Sequence, residues 1–188
     1  ELYLEGNYHT SRLVDGTVRS VTHLWSNVNG IRNWVDLPEG YWSEEGKAKI
    51  EIWNQSVAET IEHNNEIISS LTLEDFAPQM YENVESGVFV YPASSQDCSE
   101  YSASEYSAGR GFTTIMTLDL FGDDLEMGVD HITSSWAHVY SSQDMLILAE
   151  PANDWWWFWR NSDWDDATNI HSFDISEPGY TQYIGSGR

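Results

Sequence analysis

Two stretches of this chain match. TTIMTLDL begins at Thr113 and TNIHSFDI at Thr168, a period of 55 residues, and both have the form T-x-I-x-[TS]-[LF]-D-[LI]. No other feature restricts the fold so strongly. A short-strand unit recurring at roughly 40–50 residues, lengthened here by inserts, cannot bury its apolar face alone and must stack on a neighbour of the same kind. The expectation is a series of small sheets packed on one another.

Hairpin signals accompany the repeat. LVDGTVRSV places Asp15-Gly16 between two alternating runs, a strong short-range hairpin signal. SSWAHVY and MLILAE flank the turn SSQD, and TNIHSFDI and YTQYIGSG flank SEPG. The run Met145–Ala149 is apolar at every position. A half-exposed strand would alternate, so this run predicts a strand covered on both faces. The fold class that follows is mainly β: a partial β-propeller of about two to three antiparallel blades with a helical insert. Both ends, ELYLEG and YIGSGR, are strand-like. At least four blades are usual. Residues 1–188 are therefore expected to be a fragment of one propeller domain, and bare strand edges require cover. The expected partners are the remainder of its own chain or other protein subunits.

The insert is read over residues 26–112. Residues 26–46 carry loop punctuation, and Trp25, Trp34 and Trp42 are expected to pin them down. From about 47 to 71 the period becomes helical. Ile50, Trp53, Val57, Ile61, Ile68 and Leu71 form one stripe, expected to pack on the body of the protein. Thr72 with Asp75 three residues on resembles a capping box for a short second helix stopped by Pro78. Residues 82–112 read as loop with one strand, GVFVYP.

Charge excludes some functions. The chain carries 31 acids against 8 bases, a net charge of −23. Nucleic acid and anionic membranes would be repelled, while an acid-rich surface keeps a secreted protein soluble in salty surroundings. No run is long and apolar enough to span a bilayer.

Candidate chemistry is diffuse. The single cysteine, Cys98, has no base nearby in the sequence to activate it. The histidines at 9, 23, 63, 131, 138 and 171 show no zinc spacing, and no G-x-S-x-G occurs. Among strands, such histidines are expected to be structural. The segment NDWWWFWRNSDWDDATN holds Trp155, Trp156, Trp157, Trp159 and Trp164, the candidate binding aromatics. In an extended segment Trp155, Trp157 and Trp159 point one way, and Trp156 and Phe158 the other. The repeat makes this segment a rim loop between blade strands. Asp163, Asp165, Asp166 and Asn169 are candidate oxygen ligands for calcium, although the EF-hand order is absent. A second acidic turn holds Asp119, Asp123, Asp124 and Glu126.

The order YLEGNYHTSRLVDGTVRSVTH, a helical insert ending LTLEDFAPQMY, GFTTIMTLDL, SSWAHVYSSQDMLILAEP and TNIHSFDIS…YTQYIGSGR resembles the secreted proteins with a C-terminal β-propeller domain found in marine and halophilic bacteria and in archaea. The resemblance implies an extracellular or cell-envelope propeller with no assigned enzymatic chemistry. The leading expectation is a non-catalytic binding or scaffold module, with a glycan as a candidate ligand and no cofactor but calcium. Two alternatives stand beside it. One is an extracellular enzyme acting on polysaccharide or peptide through the Trp-rich rim loop; the other is a calcium-stabilised structural module.

Overall fold

The computed structural model of the protein describes residues 1–93, 98–105, 109–122, 126–152 and 167–188. The chain divides into two units, Glu1–Ser26 with Ala77–Arg188, and Asn27–Phe76. The first is built of strands and the second around one helix.

In the first unit, β1 (Leu2–Leu4) leads into β2 (Asn7–Val14) and β3 (Thr17–Trp25). The turn between the last two has Asp15 at φ 48° and Gly16 at φ 83°, the two positive φ values of a tight hairpin turn. After the second unit come β4 (Gln79–Val84), β5 (Gly87–Pro92) and β6 (Tyr101–Ala103). Then follow β7 (Gly111–Asp119), β8 (Met127–Ser134), β9 (His138–Ser141), β10 (Met145–Pro151), β11 (Thr168–Asp174) and β12 (Gln182–Gly187).

These strands form three sheets, of orders β1-β4-β5, β2-β3-β7-β8-β6 and β9-β10-β11-β12. In the second sheet only β6 is added parallel, on the edge beyond β8. Without it the larger sheets are both four-stranded antiparallel meanders, and the repeated sequence is the third strand of each: β7 in one, β11 in the other. Asp119, which ends the repeat in β7, pairs with Thr17, and Asp174 pairs with Met145. The sequence repeat is thus a structural repeat.

The meanders pack face to face. Val21, Ile115 and Ile132 from one meet Leu146, Leu148 and Phe173 from the other, with Ala137 and Ile175 completing a buried core. Alternation puts Leu146 and Leu148 on the inner side of β10. Gly128 of β8 lies so near the β11–β12 turn that a Cβ there would stand 2.6 Å from the Gly179 carbonyl oxygen.

Three expectations change. Met145–Ala149 is covered on one face only: Leu146 and Leu148 are buried, while Met145 is exposed and Ile147 and Ala149 half-buried. An all-apolar run marks burial on both faces only where a sheet lies on each side, and the core seen here lies on one. Within the span 26–112, residues beyond 76 contribute β4, β5 and β6 to the first unit. QMYENV shows no clean period of two in the sequence, because Tyr81 falls on the side of polar Gln79 and Asn83, and charged Glu82 on the side of Met80 and Val84. The third change concerns the helix.

The second unit is organised by α1 (Gly46–Ser70), within one residue of the expected bounds at each end. The loop before it grips one side. Arg32 donates its backbone N–H to Asn64 Oδ1 at 2.9 Å, and the Asn64 amide donates to the Arg32 carbonyl at 2.9 Å. Lys49 Nζ sits 5.1 Å from the Tyr41 ring centroid and 5.4 Å from that of Trp42. The buried residues of α1 are Ser56 and Thr60. Ile50, Trp53, Ile61 and Ile68 of the predicted core stripe are instead exposed, with Val57 and Leu71 half-buried. After α1, Thr72 donates both its backbone N–H (2.7 Å) and its hydroxyl (2.8 Å) to Asp75 Oδ2. These bonds hold the Asp75 carboxyl below its ordinary pKa. The short helix they cap is a single 3-10 turn, Leu73–Asp75.

Candidate functional site

Trp155, Trp156, Trp157, Trp159, Trp164, Asp163, Asp165 and Asp166 lie outside the described residues, as do Asp123 and Asp124 of the second acidic turn. Asn169, the remaining candidate calcium ligand, is in β11 opposite Glu150 and buried. Its side-chain amide donates to Glu150 Oε1 at 3.4 Å. Asp119 accepts the Phe121 backbone N–H at 2.9 Å. Among the described residues no three His, Cys, Asp or Glu side chains converge on a metal position.

The chemistry that is brought together lies in the sheets. Along β10 the inward side reads Leu146, Leu148, Glu150, and along β11 it reads Asn169, His171, Phe173. Each strand is apolar at one end and polar at the other, so the core grades into a buried polar patch. A buried carboxylate needs donors. Glu150 accepts from the Ser135 backbone N–H through Oε2, and from His171 Nε2 at 3.1 Å through Oε1. With Nε2–H committed to Glu150, His171 Nδ1 is the acceptor and takes the Ser186 hydroxyl at 2.6 Å. Tyr183 in turn donates to Ser186 Oγ at 2.5 Å. The chain of donors runs Tyr183, Ser186, His171, Glu150, and it ties β12 to β11, to β10 and to the segment before β9.

A hydroxyl on one imidazole nitrogen and a carboxylate on the other resembles a nucleophile, a base and its orienting acid. The surroundings oppose that use. Ser186 is on strand β12 and already accepts from Tyr183, and His171 is fully buried. A small cavity of about 30 Å³ between the meanders is lined by Arg12, Arg19 and Leu146, among others, and by none of these four. The arrangement can fasten strands to one another.

The other meander has its own version. His23 Nδ1 and Thr113 Oγ1 lie 3.1 Å apart, and Thr113 Oγ1 and Ser134 Oγ 2.6 Å apart, which links β3, β7 and β8. Thr114 Oγ1 meets His131 Nδ1 at 2.9 Å. Burial is the first cause that lowers the pKa of His23, and it lowers His131 to about 4, so both rings are neutral at pH 7. Burial pushes neighbouring Asp130 up to about 6. His23 also meets the edges of Trp25 and Trp136, at 4.7 and 5.7 Å between centroids.

One unbalanced feature is the outer side of the β9–β12 sheet. Tyr140, Met145 and Ile170 are exposed there, beside half-buried Ile147, and Ile184 is exposed next to the irregularity in β12. Ile170 stands in the repeat where Ile115 stands in β7, yet Ile115 is 0% exposed and Ile170 43%. The same position is core in one meander and surface in the next. The sequence carries that signal in the repeated isoleucine, but only the packing shows that the second copy lacks cover.

The family model described as "Beta propeller domain" matches residues 1–188. No curated protein matches the chain, and no solved structure does.

Proposed function

Since the chain belongs to the β-propeller domain family, we propose that it is a non-catalytic binding or scaffold module that works in an extracellular or cell-envelope assembly. The observation that carries this reading is the pair Ile115 and Ile170. In a stack of repeats each unit offers one face to the next, and the β9–β12 sheet keeps that face open and apolar. Exposed apolar patches of this kind mark interaction sites. The acid-rich composition supports the extracellular setting, because net charge far from zero favours solubility. The Trp-rich segment at 155–164 would add a second contact region, for a protein or a glycan.

The decisive experiment is a turnover screen of the purified chain on ester, peptide and polysaccharide substrates, run beside His171→Ala. Neither protein is expected to turn over any of them. Turnover by the native chain that disappears in His171→Ala would replace the scaffold reading with an enzymatic one.

A further inference from the structure

The cavity between the meanders is lined by positive charge, in a chain that carries 31 acids and only 8 bases. It lies where the β2–β3 hairpin meets the β9–β10 hairpin. Arg19, Val21 and Leu146 are its buried floor, and half-buried Thr10 and Ser141 stand with exposed Arg12 at its mouth. Arg12 and Arg19 are direct partners across the β2–β3 ladder. Like charges placed so destabilise a sheet. Arg19 is only 7% exposed. Its Nη2 donates to the Ile175 carbonyl, yet its Nε–H has no hydrogen-bond partner. Arg12 Nη1 reaches the Ser141 carbonyl at 3.5 Å. Carbonyls take up donors but bring no net charge to cancel the guanidinium. Among the described residues neither arginine forms an ion pair. Burial lowers the Arg19 pKa, and Asp144 and Asp15 raise it from beyond ion-pair distance. Both aspartates are exposed, and Asp15 accepts the Gln143 amide at 3.5 Å. A guanidinium stays protonated in a protein, so the floor of the cavity holds a buried charge that needs a counter-charge.

We propose that this cavity is a binding site for a monatomic anion of the halide class, chloride above all, held between the guanidinium groups of Arg12 and Arg19. A volume of about 30 Å³ has room for one small particle. A halide fits, and a polyatomic oxyanion or a carboxylate ligand does not. The apolar floor of Val21 and Leu146 favours an ion that gives up its water readily. The ion accepts the Arg19 Nε–H, relieves the repulsion between the paired arginines, and fastens the β2–β3 hairpin of one meander to the β9–β10 hairpin of the other. This site is independent of the scaffold reading.

Melting of the full chain at fixed ionic strength, with sodium chloride replacing sodium gluconate stepwise, tests the proposal. Gluconate is too large for the cavity, and screening stays constant throughout. The melting temperature should rise with chloride, as it does for any ligand that binds the folded state alone, and bromide should act alike. Chloride NMR lines should broaden in the presence of the chain and sharpen when bromide competes. Arg12→Gln, a change at the exposed mouth, should weaken chloride binding at least about tenfold with circular dichroism unchanged. Arg32→Gln, in the helical unit, should alter neither readout. Equal melting in chloride and gluconate, or chloride lines that the chain leaves sharp, overturns the proposal; the cavity then holds water only. A chloride effect undiminished in Arg12→Gln, or lost in Arg32→Gln, overturns it as well.

Discussion

Asp130 and His131 are neighbours on β8, and burial acts on them in opposite senses. Asp130 is raised from the ordinary 3.8 to about 6, so between those values the folded chain holds a proton that the unfolded chain releases. Stability contributed there falls as pH rises through that window. His131 is lowered from 6.5 to about 4, so between those values the unfolded chain holds the extra proton, and stability rises with pH. The two slopes oppose each other from about pH 4 to 6. Asp130→Asn removes one of them. Its melting temperature should climb through pH 4–6.5 more steeply than the native protein's, and at pH 7 should exceed it. Parallel melting curves against pH would refute this account. The donor chain makes a second residue-scale prediction. His171→Ala removes the Nε2–H donor of buried Glu150, leaving it the Ser135 N–H and the Asn169 amide, and should cost about 2–3 kcal/mol, whereas Ser186→Ala, at the outer end, should cost about 1 kcal/mol. Denaturant midpoints would show the order, and equal losses would show that the chain is not directional. This network was readable in part. Histidines within strands suggest structural roles, but Glu150, Asn169 and His171 look like outward polar residues until their phase with Leu148 and Phe173 is known.

At the scale of elements, the hairpins were legible because their turn chemistry is local. Asp15-Gly16 demands positive φ whatever surrounds it. The bounds of α1 were legible for the same reason. Its orientation was not, because period alone identifies an apolar stripe without saying what covers it. Here the loop fastens the adjoining side through Lys49 and Asn64, and Ile50, Ile61 and Ile68 remain outside. The contact of β8 with the β11–β12 turn is also invisible in sequence, since Gly128 and Gly179 lie 51 positions apart. Gly128→Ala would push a methyl against the Gly179 carbonyl, a backbone atom that cannot swing aside as a side chain would. The expected cost is about 1–3 kcal/mol, read as a lower denaturant midpoint. Gly185→Ala, with open space around its missing Cβ, is the control. Equal stability of the two variants would mean that the turn yields freely.

Over the whole molecule the dominant quantity is a net charge of −23. Self-repulsion of that size disfavours any compact state and any contact between copies. Its range is set by salt, since the screening length shrinks from about 30 Å at 0.01 M to about 3 Å at 1 M. Sodium chloride should therefore raise the melting temperature steeply at first and then level off once screening is complete. Choline chloride at equal ionic strength should reproduce the rise in melting temperature, since screening depends on charge and concentration. If a trace of calcium achieves what molar sodium does, and a chelator reverses it, then a bound ion rather than screening supports the fold, and the acidic residues Asp163, Asp165 and Asp166 become the first positions to substitute.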